Sequence, residues 1–149
     1  MSTLTTKKLG ATVGAEVLGL EPDRLLHDDT LPKACMEALE ENGVLVFRGL
    51  HIDDDTQIAF SKRLDDVGKA EPAAPPRIFN VTLDPTKSST AAYLRGTVYW
   101  HIDGAQDDVP SKATTLSAHV VSATGGETEF ASTYAAYADL TDEIGRAHV

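Results

Sequence analysis

The sequence predicts a mixed α+β fold that turns mainly β in its second half, on three observations. Two segments, residues 30–42 and 53–67, space their apolar residues at the helical period and carry helix start and stop signals. Two others, residues 44–47 and 114–122, are short apolar runs with β-branched members, as in strands. A glycine pair, Gly125-Gly126, then marks a tight turn between extended stretches.

Taken in order, residues 7–20 place short apolar and small residues around Gly10, Gly14 and Gly19 and read as two short strands with a turn. In residues 30–42, Thr30 is placed to cap the helix, Pro32 falls in the first turn, and Gly43 ends it. Leu31, Ala34, Cys35, Ala38 and Leu39 share one face, so Cys35 is expected as a small buried hydrophobe, not a nucleophile. Residues 44–47 read as a strand covered on both faces. Residues 53–67 open on three aspartates, which suit the positive end of a helix dipole better than a metal site.

Residues 71–76 are rich in proline and alanine and are expected to be irregular. Residues 77–83 read as a strand and 84–97 as a polar loop. Residues 114–122 read as a buried strand with His119 as a hydrogen-bonded core histidine, while His27 and His51 fall outside any ligand pattern. Thr128 is expected to begin a short strand, and residues 133–140 a helix.

Composition narrows function. The 149 residues suffice for one domain, and 42% hydrophobic with 24% charged residues is ordinary for a globular protein. Thirteen basic against twenty-three acidic residues give a net charge of −10, which repels phosphate backbones, so nucleic acid is not an expected partner. The single cysteine excludes an internal disulfide and fits a reducing compartment. The first ten residues have no signal-peptide core and no apolar run has membrane-spanning length, so no membrane partner and a cytoplasmic location are expected.

Chemistry concentrates in Tyr99-Trp100-His101-Ile102-Asp103-Gly104. In an extended segment, His101 and Asp103 point the same way with backbones about 6.6 Å apart. An imidazole and a hard carboxylate on one side suit divalent iron, and with a second histidine they form the facial triad of non-haem Fe(II) oxygenases. Most isolated His-x-Asp pairs are ordinary surface or turn residues; here the pair follows two aromatics, ends on a glycine and precedes an apolar run closed by Gly125-Gly126-Glu127-Thr128-Glu129-Phe130.

The stretches WHIDG, LSAHVVSATGGETEF and ASTYAAYADL together resemble the iron- and 2-oxoglutarate-dependent dioxygenases of the taurine dioxygenase / 2,4-dichlorophenoxyacetate dioxygenase type, from about Leu9 to Asp142. The resemblance implies a double-stranded β-helix, or jelly roll, of which residues 1–142 would hold the N-terminal helices and only part of the strand set. It implies Fe(II), 2-oxoglutarate and O₂ as cofactor and cosubstrates, and hydroxylation of an aliphatic carbon of a small organic acid. His101 and Asp103 would be the first two iron ligands, Thr128 would hydrogen-bond the 2-oxoglutarate carboxylate, and Trp100 would pack beside the site. The region of residues 77–97 lids the site in this family. Arg77, Lys87, Tyr93 and Arg95 are therefore candidate substrate contacts, with plain solvated surface as the alternative for each. Gly104 is a further candidate.

The family's third ligand and its 2-oxoglutarate arginine lie in a downstream His…Arg stretch, and His148 lacks those surroundings. Residues 143–149 (EIGRAHV) are what a common sequencing adapter encodes when read through, so they are expected to be a non-native tail and the fragment itself to be inactive. Taurine-using members carry a histidine after the second helix, absent from residues 69–76, so taurine is disfavoured. Sulfonates, sulfate esters, aryloxyalkanoates and betaines stay open, as does self-association into a homo-oligomer. The competing class is a non-catalytic metal- or ligand-binding protein of the same jelly-roll architecture.

Overall fold

A polar hairpin begins the chain. In the computed structural model, which describes residues 4–67, 78–89, 91–94, 99–105, 107–108, 110–142 and 144, β1 (Thr5–Lys8) pairs antiparallel with β2 (Ala15–Leu18), Thr5 opposite Leu18 and Lys8 opposite Ala15. β1 is exposed along its length, and its lysines suit a sheet edge that must not recruit another chain. β2 alternates: Ala15 and Val17 face inward, while Glu16 reaches Arg48 at 3.4 Å. β2 also pairs in parallel with β3 (Leu45–Phe47), giving the order β1-β2-β3, and among the described residues these are the only strands.

Between β2 and β3 run α1 (Asp23–His27) and α2 (Leu31–Asn42). α2 fits the sequence pattern, with Pro32 in its first turn and Gly43 closing it at φ +69°, a conformation in which an added Cβ would also crowd Val13. Its cap differs from expectation. Thr30 has helical backbone angles that do not aim its hydroxyl at the helix, and it donates instead to Asp28 Oδ1 at 2.6 Å. Thr30 N–H donates to the same oxygen and Arg24 to Oδ2; those hydrogen bonds, Thr30's first, hold the Asp28 carboxyl well below the usual carboxylate range.

α3 (Asp54–Asp65) starts as expected, with Asp53 accepting from the Thr56 N–H at 2.8 Å. Its Phe60 joins Leu25, Leu31 and Cys35 in the core, with Leu4, Leu20, Leu45, Phe47, Leu50, Ile52 and Leu64 packed around them. Cys35 is buried as expected, and burial pushes its thiol up to about 11, which makes it a poor nucleophile at neutral pH. One turn from Phe60, Arg63 donates to the carbonyls of Leu25 and Asp28 and to Asp29 Oδ1, the last two at 2.9 Å. Those carbonyls belong to the end of α1, where helical C=O groups run out of intrahelical partners; Asp28's also accepts from the Leu31 N–H at 3.2 Å. On another side of α3, Gln57 donates to the Thr115 carbonyl at 3.2 Å, Ser61 and Thr115 hydroxyls meet at 2.8 Å, and Asp54 faces His119 at 3.7 Å.

Several expected strands are not formed. Residues 78–83, 114–122 and the stretch from Thr128 lie outside regular structure. Phe79, Val81 and Leu83 are each more than half exposed, Val120 is 93% exposed, and His119 is a surface residue, not a core one. A β-branched run prefers a pleated, half-covered surface, and no strand among the described residues offers these segments a ladder. β3 itself is half-buried, not covered on both faces, because its second edge carries no strand there. The expected polar loop of residues 84–97 contains a short helix, α4 (Ala91–Leu94), with Ala91 and Leu94 buried. Gly125 and Gly126 do turn the chain at φ +71° and +81°, and α5 (Thr133–Ala138) follows, capped by Ser132 accepting from Ala135 N–H. Residues 71–76, Arg77 and His148 lie outside the described residues.

Two outcomes test this account. Arg63→Met should lower the unfolding free energy by about 1–3 kcal/mol by taking the guanidinium from the Leu25 carbonyl and leaving the Asp28 carbonyl only its Leu31 N–H, and Arg63→Lys should recover only part because an ammonium cannot fork; urea melts of the three chains decide it. The Asp53 carboxyl is lowered from its ordinary 3.8, chiefly by the Thr56 side-chain hydrogen bond, so its contribution is complete above pH 3.8 and is lost as pH falls through the lower folded value. Asp53→Asn keeps an acceptor but nothing to titrate, so melting temperature followed from pH 5 down to about pH 2 should fall less steeply than in the native chain.

Candidate metal centre

The segment from Tyr99 to residue 105 is irregular and turns at Gly104, so the expected extended pair sits in a loop rather than in a ladder. It still brings His101 and Asp103 together. Nε2 of His101 lies 3.4 Å from Oδ1 of Asp103, and Nδ1 lies 2.7 Å from the Tyr99 carbonyl oxygen. The second contact was not foreseen; its signal in sequence is only the two-residue spacing that lets a side chain fold back on the backbone. Gly104 has φ +66°, and its carbonyl accepts from the Asp107 N–H at 3.0 Å. That positive φ favours glycine, while an added Cβ would press only on the Asp107 carboxylate at 3.0 Å, which can swing aside.

Imidazole nitrogen and carboxylate oxygen each bind a divalent transition ion at roughly 2.0–2.2 Å. Two such bonds meeting near a right angle, or somewhat wider, separate their donor atoms by about 3.0–3.4 Å, so the observed 3.4 Å suits one ion shared by both. The side chains are 50% and 73% exposed, leaving open directions for further ligands. Among the described residues no third histidine, cysteine or carboxylate joins the pair.

Other candidates are more scattered. Thr128 is exposed, and no hydrogen bond or ion pair links it to His101 or Asp103. Trp100, expected to pack beside the site, is 70% exposed, and its neighbour Tyr99 is 77% exposed. Lys87 sits 3.9 Å from Asp84, itself held below the usual carboxylate range by Thr86. Tyr93 lies in α4, but its side chain, with Arg77 and Arg95, is outside the described residues.

The sequence matches the family model described as taurine catabolism dioxygenase TauD, TfdA family, over residues 5–148. The chain belongs to the TauD/TfdA family. It is 35% identical over 156 residues to a (S)-phenoxypropionate/alpha-ketoglutarate-dioxygenase of Delftia acidovorans, covering 99% of this chain and 52% of that one. It is 32% identical over 142 residues to an alkylsulfatase of Acinetobacter baylyi, covering 93% of this chain and 43% of the other. Its fold matches the crystal structure of AAD-2 in complex with Mn(II) and N-oxalylglycine at a TM-score of 0.70 and 26% identity, over 98% of this chain and 53% of that one. This TauD/TfdA chain therefore spans about half the length of the relatives it matches. No described helix is long and apolar enough to cross a membrane.

Proposed function

We propose that the whole protein is an Fe(II)- and 2-oxoglutarate-dependent dioxygenase that hydroxylates an aliphatic carbon of a small organic acid. The observation that carries this is the His101–Asp103 pair, with its donor atoms 3.4 Å apart, in a chain of the TauD/TfdA family. When bound, iron with 2-oxoglutarate and O₂ supplies the oxidation of an unreactive C–H bond, coupled to conversion of 2-oxoglutarate to succinate and CO₂. His101 Nε2 and an Asp103 oxygen would hold the metal, and their exposure leaves room for cosubstrate and O₂. AAD-2 supports the same reading: Mn(II) is a stand-in for Fe(II), and N-oxalylglycine is 2-oxoglutarate with an N–H in place of a methylene.

In this reading Thr128 donates its hydroxyl to the 2-oxoglutarate carboxylate. The third iron ligand, and the arginine that pairs with the far carboxylate, belong to the part of the domain this chain does not span. Completing the double-stranded β-helix with those residues would cover Phe79, Val81, Val120 and their exposed apolar neighbours. Residues 1–142 are then the N-terminal part of the domain, and 143–149 a tail foreign to it.

For substrate, relatives named for phenoxypropionate and for sulfate esters favour an aryloxyalkanoate or a sulfate ester. Arg77, Lys87 and Arg95 are candidate cations to meet its acidic group, and Tyr93 and Gly104 are further candidate contacts. The second reading, a non-catalytic binding protein, is favoured only by the pair's lack of a third described ligand.

Three experiments follow. In full-length protein, His101→Ala or Asp103→Ala should abolish Fe(II)-dependent succinate formation, whereas His119→Ala, which loses only an exposed pairing with Asp54, should keep most of it; equal loss in all three, with folding intact, refutes the ligand assignment. Thr128→Val should weaken 2-oxoglutarate by roughly ten- to a hundredfold, for one hydrogen bond to a charged group, while iron affinity stays unchanged; an unaltered Michaelis constant removes Thr128 from the site. The 149-residue chain alone should make no succinate with Fe(II) and ascorbate, and joining the C-terminal half of a related dioxygenase after Leu140 should restore turnover. Robust metal-dependent turnover by the short chain overturns the placing of the third ligand.

A further inference from the structure

The two nitrogens of His101 meet groups that are not interchangeable. Nδ1 lies 2.7 Å from the Tyr99 carbonyl oxygen, which can only accept, so a hydrogen bond between them requires the hydrogen on Nδ1. Nε2 lies 3.4 Å from Oδ1 of Asp103. In the neutral ring of that tautomer Nε2 is unprotonated, and two electron-rich atoms 3.4 Å apart border one small volume that favours a cation. Asp103 is held in turn by the bend that follows it, where Gly104 adopts φ +66° and its carbonyl accepts from Asp107 N–H at 3.0 Å. A backbone carbonyl two residues before His101 thus meets its ring, and Asp103 stands at the start of a turn closed by a backbone hydrogen bond.

We propose that the Tyr99 carbonyl is the positioning group of the metal pair: it holds His101 as the Nδ1–H tautomer before any metal arrives, so that Nε2 is the nitrogen offered beside Asp103 Oδ1. This rests on the assignment of His101 and Asp103 as ligands. Hydrogen bonds of this kind at the outer ring nitrogen orient a ligating histidine and raise its basicity, and losing one commonly weakens metal binding ten- to a hundredfold. The sequence neighbours contribute through their peptide groups, which explains how Tyr99 serves the site while its own ring stays in solvent.

The test uses the 149-residue chain labelled with ¹⁵N at histidine, at about pH 8.5, above the ordinary histidine value of about 6.5. The His101 resonances are those missing from the spectrum of His101→Gln, and the probe is Zn(II) alone. The expected result is a pyrrole-type Nδ1 and a pyridine-type Nε2 in the metal-free chain, with Zn(II) shifting Nε2 the more strongly. Replacing His101 by Nδ1-methylhistidine keeps Nε2 as a ligand but removes the donated hydrogen, and should weaken Zn(II) binding by roughly ten- to a hundredfold. A mixed or reversed tautomer in the metal-free chain, or a methylated chain that binds Zn(II) as tightly as the native one, overturns the positioning role and leaves the ligand assignment standing. Zn(II) that perturbs neither ring nitrogen removes the ligand assignment, and the positioning role with it.

Discussion

One guanidinium organises the first half of the molecule. Arg63 reaches from α3 to two carbonyls at the end of α1 and to the carboxylate of Asp29. A helix as short as α1 has too few internal hydrogen bonds to persist by itself. The positive charge on its carbonyl end both satisfies those oxygens and complements its dipole. With α1 fixed, Leu25 enters the core between Leu31, Cys35 and Phe60, and Asp28 is set where Arg24 and Thr30 converge on it. The connection from hairpin to α2 is therefore a packed corner.

The His101–Asp103 pair shows a different economy. It borrows little from the hydrophobic core: its side chains are half or more exposed, and its geometry comes from a carbonyl and a turn within a few residues. Local backbone hydrogen bonds suffice to bring two donors together, yet they cannot add distant ones. A ligand set of three needs strands far apart in sequence to be brought alongside, which is work for a completed sheet.

What the residues disclosed by themselves follows the same division. The hairpin, α2, α3 and α5 were legible because their signals are local: Asp53 before α3, Pro32 and Gly43 around α2, glycines in turns. α1 was not, since nothing in Asp23–His27 announces a helix and its stability comes from Arg63, 38 residues away from Leu25. The segments around Val81 and Val120 read as strands because β-branched residues favour that geometry, but a strand exists only with a neighbour to bond. Of the site, the His-x-Asp spacing was visible, whereas the Tyr99 carbonyl, being backbone, leaves no trace in residue type. Thr128 could be named only through resemblance, for nothing around it marks a threonine as a ligand-binding one.

The parallel pairing of β2 with β3 has a consequence in time. Ala15 bonds alongside Leu45, so the sheet cannot gain its third strand until α1, α2 and the turn at Gly43 have all been made. At a synthesis rate of about 5–20 residues per second, the hairpin waits about 1.5 to 6 seconds for its partner. During that wait the inner face of Ala15 and Val17 and one edge of β2 are bare. The interval is long against hairpin and helix formation, which take microseconds, so the ribosome rather than the chain sets the pace at which this sheet closes.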